Sequence, residues 1–203
     1  MTYHTKFICM RVSRVNFDIK HEYFVPATEK YEITHNVGVI PPILYNQTLD
    51  WTCAIACIRS ITSGLVDIGT DEEIVAKYNI KPGPLYSRDI KKLGMLDNLN
   101  LDIVYGCDQS TEEVSLSYLW NLLNQGYRVM TDWMYSYDHW TVVLSYLVSE
   151  KDLCYHTITC HDPYCGETFN IRAGHFIVMW QSGEYSSGIT RDFIAVRDKQ
   201  NTN

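Results

Sequence analysis

Hydrophobic residues recur every three or four positions in the first half of the chain, the spacing of helices with one buried face. The run CAIACIRSIT predicts a helix from Cys53 to Thr62 that stops at Gly64, because glycine commonly follows the last helical residue. Thr70, followed by acids, predicts the start of a second helix in GTDEEIVAKY, and Ser87 predicts the cap of a third in RDIKKLGML. STEEVSLSYLWNLLNQG combines a capping pattern with helical apolar spacing and is the clearest helix of the chain.

The second half of the chain changes to short runs of β-branched and aromatic residues, which are typical of strands. NLDIVYG predicts a short strand, and four longer candidates follow: YRVMTDWM, HWTVVLSYLV, LCYHTITC and RDFIAVRD. Only IRAGHFIVMWQ interrupts them with a predicted helix. Helices first and antiparallel strands second indicate an α+β fold rather than an alternating βαβ one.

The N-terminal segment has its own pattern. Residues 2–35 are rich in Val, Ile, Phe and Tyr with partial alternation, so they predict strands or a hairpin. Pro41 and Pro42 then exclude a helix and indicate an extended approach to the first helix. We therefore divide the chain into an N-terminal extension, residues 1–38, whose strands pack on the domain, and one domain of residues 39–203.

Composition and charge narrow the classes of partner. The 203 residues are 46% hydrophobic and 20% charged, which is ordinary for a globular domain. A formal net charge of −7 argues against nucleic acid or an anionic membrane as the main partner. There is no apolar stretch long enough to span a membrane and no signal-peptide pattern, so we expect a cytoplasmic protein, or one exported without such a signal. Seven cysteines, an odd number, fit a reducing compartment better than a disulfide framework.

The position of Cys53 is typical of a nucleophile. It follows a polar, turn-prone lead-in, NQTLDWT, and opens an apolar helix, whose N-terminal partial charge favours the thiolate. A thiol nucleophile also needs a base, a group that orients the base and an oxyanion donor. His139 opens one predicted strand, and Asp162 ends the next, directly before Pro163. If these strands pair as a hairpin, His139 and Asp162 lie at the same end of it.

Four elements in order resemble a known family. Gln47, six positions before Cys53, has the spacing found in papain-like cysteine peptidases, and DHWTVVLSY and HDPYCG follow in order. Over about residues 39–197 the chain resembles the bacteriocin-processing (double-glycine leader) peptidases and their stand-alone relatives. The resemblance implies a papain-like fold in which Gln47 is the oxyanion donor, Cys53 the nucleophile, His139 the general base and Asp162 its orienting partner. It also implies a peptide or protein substrate and no metal or cofactor.

One residue departs from the pattern of that family. The residue after the cysteine is usually glycine, and here it is Ala54, which is still small enough for a helix start. We therefore expect activity to be retained. The same four groups also serve glutamine deamidation and transglutamination, because those reactions differ only in the leaving or attacking group. A protein of a different class, a catalytically retired peptide-binding module, stays open as well.

Several other residues compete for these roles. Cys57 lies one helical turn after Cys53, but a helix interior offers less help from the helix dipole, so we interpret it as core. His175 fits a helix that packs on the sheet better than a catalytic base. Asp138 neighbours His139, but adjacent strand residues point to opposite faces, so it is a weaker orienting group than Asp162.

Two further clusters are interpreted as structural. The segment CYHTITCHDPYC lacks a CxxC pair, and its same-face positions spread over roughly 20 Å of strand, so we do not expect a zinc site there. Its potential ligands are Cys154, His156, Cys160, His161 and Cys165. The acidic run Asp71-Glu72-Glu73 is interpreted as a helix start and nothing more.

Overall fold

The computed structural model describes residues 33–110, 113–134, 138–149, 156–182, 189 and 191–199. The described strands are β1 (Ile33–Val37), β2 (Leu101–Tyr105), β3 (Arg128–Met134), β4 (Asp138–Ser149), β5 (Thr157–Asp162), β6 (Glu167–Arg172) and β7 (Phe193–Asp198). The described helices are α1 (Cys53–Thr62), α2 (Asp71–Tyr78), α3 (Ser87–Lys92), α4 (Leu116–Asn124) and α5 (Ala173–Ser182), with a 3₁₀ turn at Gly106–Asp108. Most of the extension predicted to form strands lies outside the described residues.

The strands form one antiparallel sheet in the order β2-β7-β3-β4-β5-β6. β1 pairs with the C-terminal part of β4, where Val37 faces Tyr146. The β4–β5 hairpin predicted from the sequence is confirmed, with Val142 opposite His161. The start of β4 and the end of β5 therefore lie at the same end of the sheet. This mixed arrangement of helices and an antiparallel sheet is consistent with the α+β class.

An apolar core lies on each face of the sheet. Neighbouring residues of one strand point to opposite faces, and so they pack in different cores. Val143 of β4 packs with side chains of α4 and α5, whereas Val142 packs with side chains of α1, α2 and α3. Trp133 and Trp180 are fully buried in the first core. Helix α1 thus lies on one face of the sheet, near the strands that carry the predicted His and Asp.

Helix α1 begins and ends where the sequence predicts. Ile55, Ile58 and Ile61 are at most 1% exposed, and burying each such side chain contributes about 1.5–3 kcal/mol. After the helix, Gly64 has φ +72°, in the left-handed region that glycine adopts without strain. The three buried isoleucines fix which face of the helix packs against the sheet.

Three local predictions needed correction. Helix α3 starts at Ser87 rather than being capped by it, because the Ser87 hydroxyl accepts from Cys107 N at 3.1 Å and Ser87 N donates to Asp192 at 3.0 Å. Helix α4 begins later than predicted, with Ser115 as its N-cap. Strand β6 was missed, since ETFNIR is short and half polar. Within the described part of the chain, no helix has the length and apolarity needed to cross a membrane.

Candidate active site

The lead-in to α1 is an irregular segment tied to its surroundings by backbone hydrogen bonds. Tyr45 N donates to the Ser60 hydroxyl of α1 at 2.8 Å. Gln47 N donates to Pro163 O at 2.9 Å, which joins this segment to the turn after β5. These backbone hydrogen bonds hold Gln47 between α1 and the turn after Asp162.

The Gln47 side chain folds back toward the start of α1. Its Nε2 donates to Leu49 O at 2.8 Å, and the same carbonyl accepts from Thr52 N at 3.1 Å. An amide nitrogen carries two hydrogens, so a second N–H of Gln47 is left for another acceptor. The Cys53 N–H is one of the four at a helix start that have no intrahelical acceptor. Gln47 and Cys53 line the same cleft.

Cys53 and His139 both line this cleft, and the two side chains are close enough for Cys53 to raise the pKa of the imidazole. Cys53 is partly exposed, whereas His139 is 5% exposed. Burial alone would lower the pKa of His139, but hydrogen bonds to Asp162 and Cys53 outweigh it and raise that pKa to about 10. The imidazole therefore keeps its proton at neutral pH.

Asp162 completes a chain of three groups. Its Oδ1 lies 2.8 Å from His139 Nε2 and accepts from Tyr164 N at 2.8 Å. Burial would raise the pKa of Asp162, but the hydrogen bonds from His139 and the Tyr164 N–H lower it below its ordinary value. The carboxylate is thus ionised and fixes the ring. Because Nε2 faces Asp162, Nδ1 is the nitrogen left for the thiol.

The competing residues lie in other environments. Cys57 is 0% exposed, and burial raises the pKa of its thiol well above the ordinary value, which disfavours a thiolate there. Asp138 accepts a 2.6 Å hydrogen bond from the Tyr86 hydroxyl. His175 lies on α5, among the helices that pack against the sheet.

The cleft beside Cys53 has a volume of about 390 Å³. Residues 83–86 form part of its lining, and hydrogen bonds join this segment to the residues before and after His139. Tyr86 bonds Asp138, the residue before the histidine, and Trp140 Nε1, from the residue after it, donates to Leu85 O at 2.8 Å. Trp51 and Tyr164 add aromatic surface to the cleft. The surface of the cleft is largely apolar, with a small number of polar groups beside Cys53 and His139.

The cysteine- and histidine-rich segment gives no metal geometry in the described residues. His156 Nδ1 lies 3.2 Å from the Tyr146 hydroxyl, and Cys160 is fully buried. Cys165 lies near Asp162 and helps to lower the pKa of that carboxyl group, and Cys154 lies outside the described residues. Where side chains are described, no group of three or more His, Cys, Asp or Glu is placed to hold an ion.

Two acidic residues near the site were missed by the sequence analysis. The interpretation of Asp71 as a helix start only is wrong, because its carboxylate is fully buried and accepts hydrogen bonds from the lead-in segment. Asp132 on β3 is also 0% exposed, and its two oxygens have no hydrogen-bond partner among the described residues. Neither could be found from local pattern, because both depend on contacts across the fold.

No model of a protein family matches the chain, and no curated protein matches it either.

Proposed function

We propose that the protein is a papain-like cysteine hydrolase that acts on a peptide or protein amide bond. The observation that carries this proposal is the placement of three groups: a partly exposed Cys53 at a helix N-terminus shares a cleft with His139, whose pKa it raises, and His139 lies 2.8 Å from Asp162. A helix that presents a cysteine to a histidine and a carboxylate on neighbouring antiparallel strands also supports the papain-like form of the α+β fold.

In the proposed reaction the Cys53 thiolate attacks the carbonyl carbon of the amide and gives a tetrahedral oxyanion. The His139 imidazolium donates its proton to the leaving amine, the C–N bond breaks, and an acyl-thioester remains. Water then attacks the thioester as His139 takes its proton, and the carboxylic acid and free thiol are released. Asp162 keeps the imidazole oriented through both steps, and the reaction requires neither metal nor cofactor.

The oxyanion would be held by the Cys53 N–H and the side-chain amide of Gln47. Both groups line the cleft, and the hydrogen bond from Gln47 Nε2 to Leu49 O limits how far the amide can rotate. Donors held in place before the reaction stabilise the transition state more than the substrate, because little reorganisation is needed as charge develops.

We also propose a reducing compartment, such as the cytoplasm. The five cysteines among the described residues are all free thiols. A reducing compartment keeps such thiols unpaired, and a nucleophilic cysteine acts only in its reduced form.

A peptide library incubated with the protein tests the proposal, with Cys53→Ala as the matched control. We expect new peptide termini by mass spectrometry that are absent with the variant. A gain of about one dalton on glutamine would instead indicate the deamidase, and addition of an amine would indicate the transglutaminase. In both reactions the thiolate attacks the side-chain amide of glutamine rather than a peptide bond, and ammonia leaves. Unchanged peptides that still bind would favour the retired module and overturn the proposal.

A further inference from the structure

Asp71 connects the start of α2 to the segment that carries Gln47. Its Oδ2 accepts from Thr48 N at 3.1 Å and from the Thr52 hydroxyl at 2.8 Å. The Thr52 hydroxyl in turn accepts from Leu49 N at 3.2 Å, and Leu49 O accepts from the Gln47 amide at 2.8 Å. One carboxylate thus fixes both ends of the turn between Gln47 and Cys53.

The Asp71 carboxylate is buried and has a matching cation. It is 0% exposed, and its Oδ1 lies 2.6 Å from the Arg59 guanidinium of α1, which also lies over the Tyr45 ring at 4.0 Å. A buried carboxylate paired with an arginine and bonded by several donors is held in one position. The carboxylate of α2 thereby joins α1 and the turn. The turn cannot move away without breaking its hydrogen bonds to this charged group.

Capping of α2 does not explain these contacts. The capping box of that helix is made by Thr70 and Glu73: the Thr70 hydroxyl accepts from Glu73 N, and the Glu73 carboxylate accepts from Thr70 N. The Asp71 side chain instead bonds residues 19 to 23 positions earlier in the chain, and Arg59. Its contacts therefore serve the lead-in turn rather than its own helix.

We propose that Asp71 is a positioning residue that holds the Gln47 amide at the oxyanion site. This inference rests on the proposed function, because it assigns Asp71 a role in the same oxyanion step. Replacing the carboxylate would let the turn relax, and the Gln47 amide would no longer point consistently at the developing charge. The thiolate of Cys53, which is set by His139 and the helix start, would be little affected.

Two small reagents separate these effects without knowledge of the natural substrate. With p-nitrophenyl acetate the Cys53 thiolate attacks the ester carbonyl, an oxyanion forms, nitrophenolate leaves and a thioester remains. With iodoacetamide the thiolate displaces iodide and no oxyanion forms. We expect Asp71→Asn to lower the acylation rate constant about tenfold, or more, and to leave the alkylation rate constant within about twofold.

A double-mutant cycle tests whether Asp71 acts through Gln47. If it does, Asp71→Asn should lower the acylation rate less than about threefold further when Gln47 is already Ala. Two independent effects would multiply instead, and that result would overturn the inference. A ratio of acylation to alkylation in Asp71→Asn equal to that of wild type would overturn it too.

Matched variants control for stability and folding. Thr70→Ala weakens the cap of the same helix but touches neither Gln47 nor Cys53, so both rate constants should stay near wild type. If Asp71→Asn does not fold, Thr52→Val removes the hydroxyl that bonds Asp71 and Thr52→Ser retains it; we expect only the valine variant to lose acylation selectively. Equal rates in the two Thr52 variants would contradict the inference. A Cys53→Ala variant that still cleaves the peptide library would instead disprove the proposed function, whatever the Asp71 variants do.

Discussion

The backbone N–H of Gln47 donates a 2.9 Å hydrogen bond to the carbonyl of Pro163, and so joins the segment before α1 to the turn after Asp162. Residues far apart in the chain are thereby held at one end of the sheet. Gln47 has the spacing to Cys53 of an oxyanion donor, and Asp162, the residue before Pro163, bonds His139. A movement of the segment that carries Gln47 would therefore also displace the turn beside Asp162.

The first prediction concerns the Gln47 side chain. Gln47→Ala leaves this backbone bond in place and removes only the side-chain amide. An oxyanion donor acts mainly on the transition state, so we expect kcat to fall by roughly 10²–10³ with little change in KM or Tm. Steady-state kinetics on a peptide identified from the library would measure this. A kcat within about threefold of wild type would show that the spacing of Gln47 and Cys53 is coincidental.

The second prediction compares two aspartates near His139. Asp162 lies 2.8 Å from the imidazole Nε2, whereas Asp138 accepts its hydrogen bond from Tyr86. Asp162→Asn should lower kcat by between about 10-fold and 10⁴-fold but leave measurable turnover, because in the proposed mechanism the group orients the base and transfers no proton itself. Asp138→Asn should cost distinctly less. The reverse order in kcat would assign the orienting role to Asp138.

Much of the fold follows from local pattern in the sequence. Helix α1 was predicted at its observed bounds because its isoleucines repeat at helical spacing and Gly64 follows. The β4–β5 hairpin was predicted because both strands have strong strand composition. Strand β6 was missed because its own residues are weakly patterned, although Gly166, with φ +71°, marks the turn that leads into it.

The parts that could not be predicted depend on distant contacts. An acidic residue at a helix start is common, and nothing local distinguishes Asp71 from its neighbours Glu72 and Glu73. Only the folded structure shows that Thr48, Thr52 and Arg59 all donate hydrogen bonds to its carboxylate. Ser87 was assigned to a helix cap for the same reason, since its bond to Cys107 N spans 20 positions.

The third prediction concerns which cysteine reacts. Cys53 is partly exposed and shares its cleft with a protonated His139, whereas Cys57 is fully buried with its thiol pKa raised by burial. After brief exposure to iodoacetamide at pH 6, peptide mapping should find Cys53 modified before the other cysteines. His139→Ala should slow this reaction at pH 6 by about tenfold or more, since the imidazolium no longer stabilises the thiolate. Earlier labelling of Cys57 would move the nucleophile by one helical turn.

The last prediction concerns stability and follows from the burial of Asp132. Burial, then the nearby Asp138 and Asp192 carboxylates and Cys53, raise the pKa of Asp132 to about 8, while His139 lowers it in part. In the unfolded chain an aspartate loses its proton near its ordinary pKa of about 4. Between these values the folded state binds one more proton than the unfolded state, so this residue makes the free energy of unfolding fall as the pH rises from about 4 to about 8.

Asp132→Asn keeps the shape of the side chain and removes the titration. We expect the variant to gain roughly 4–5 kcal/mol in free energy of unfolding at pH 8 relative to its effect at pH 4, because the pKa of Asp132 is raised by about four units and each unit corresponds to about 1.4 kcal/mol. Denaturant unfolding at several pH values would measure the difference. Asp198→Asn, at an exposed position on β7, is the matched control and should stay within about 0.5 kcal/mol throughout. Parallel pH profiles for Asp132→Asn and wild type would mean that Asp132 is ionised in the folded protein, and its carboxylate would then need a partner that compensates its charge.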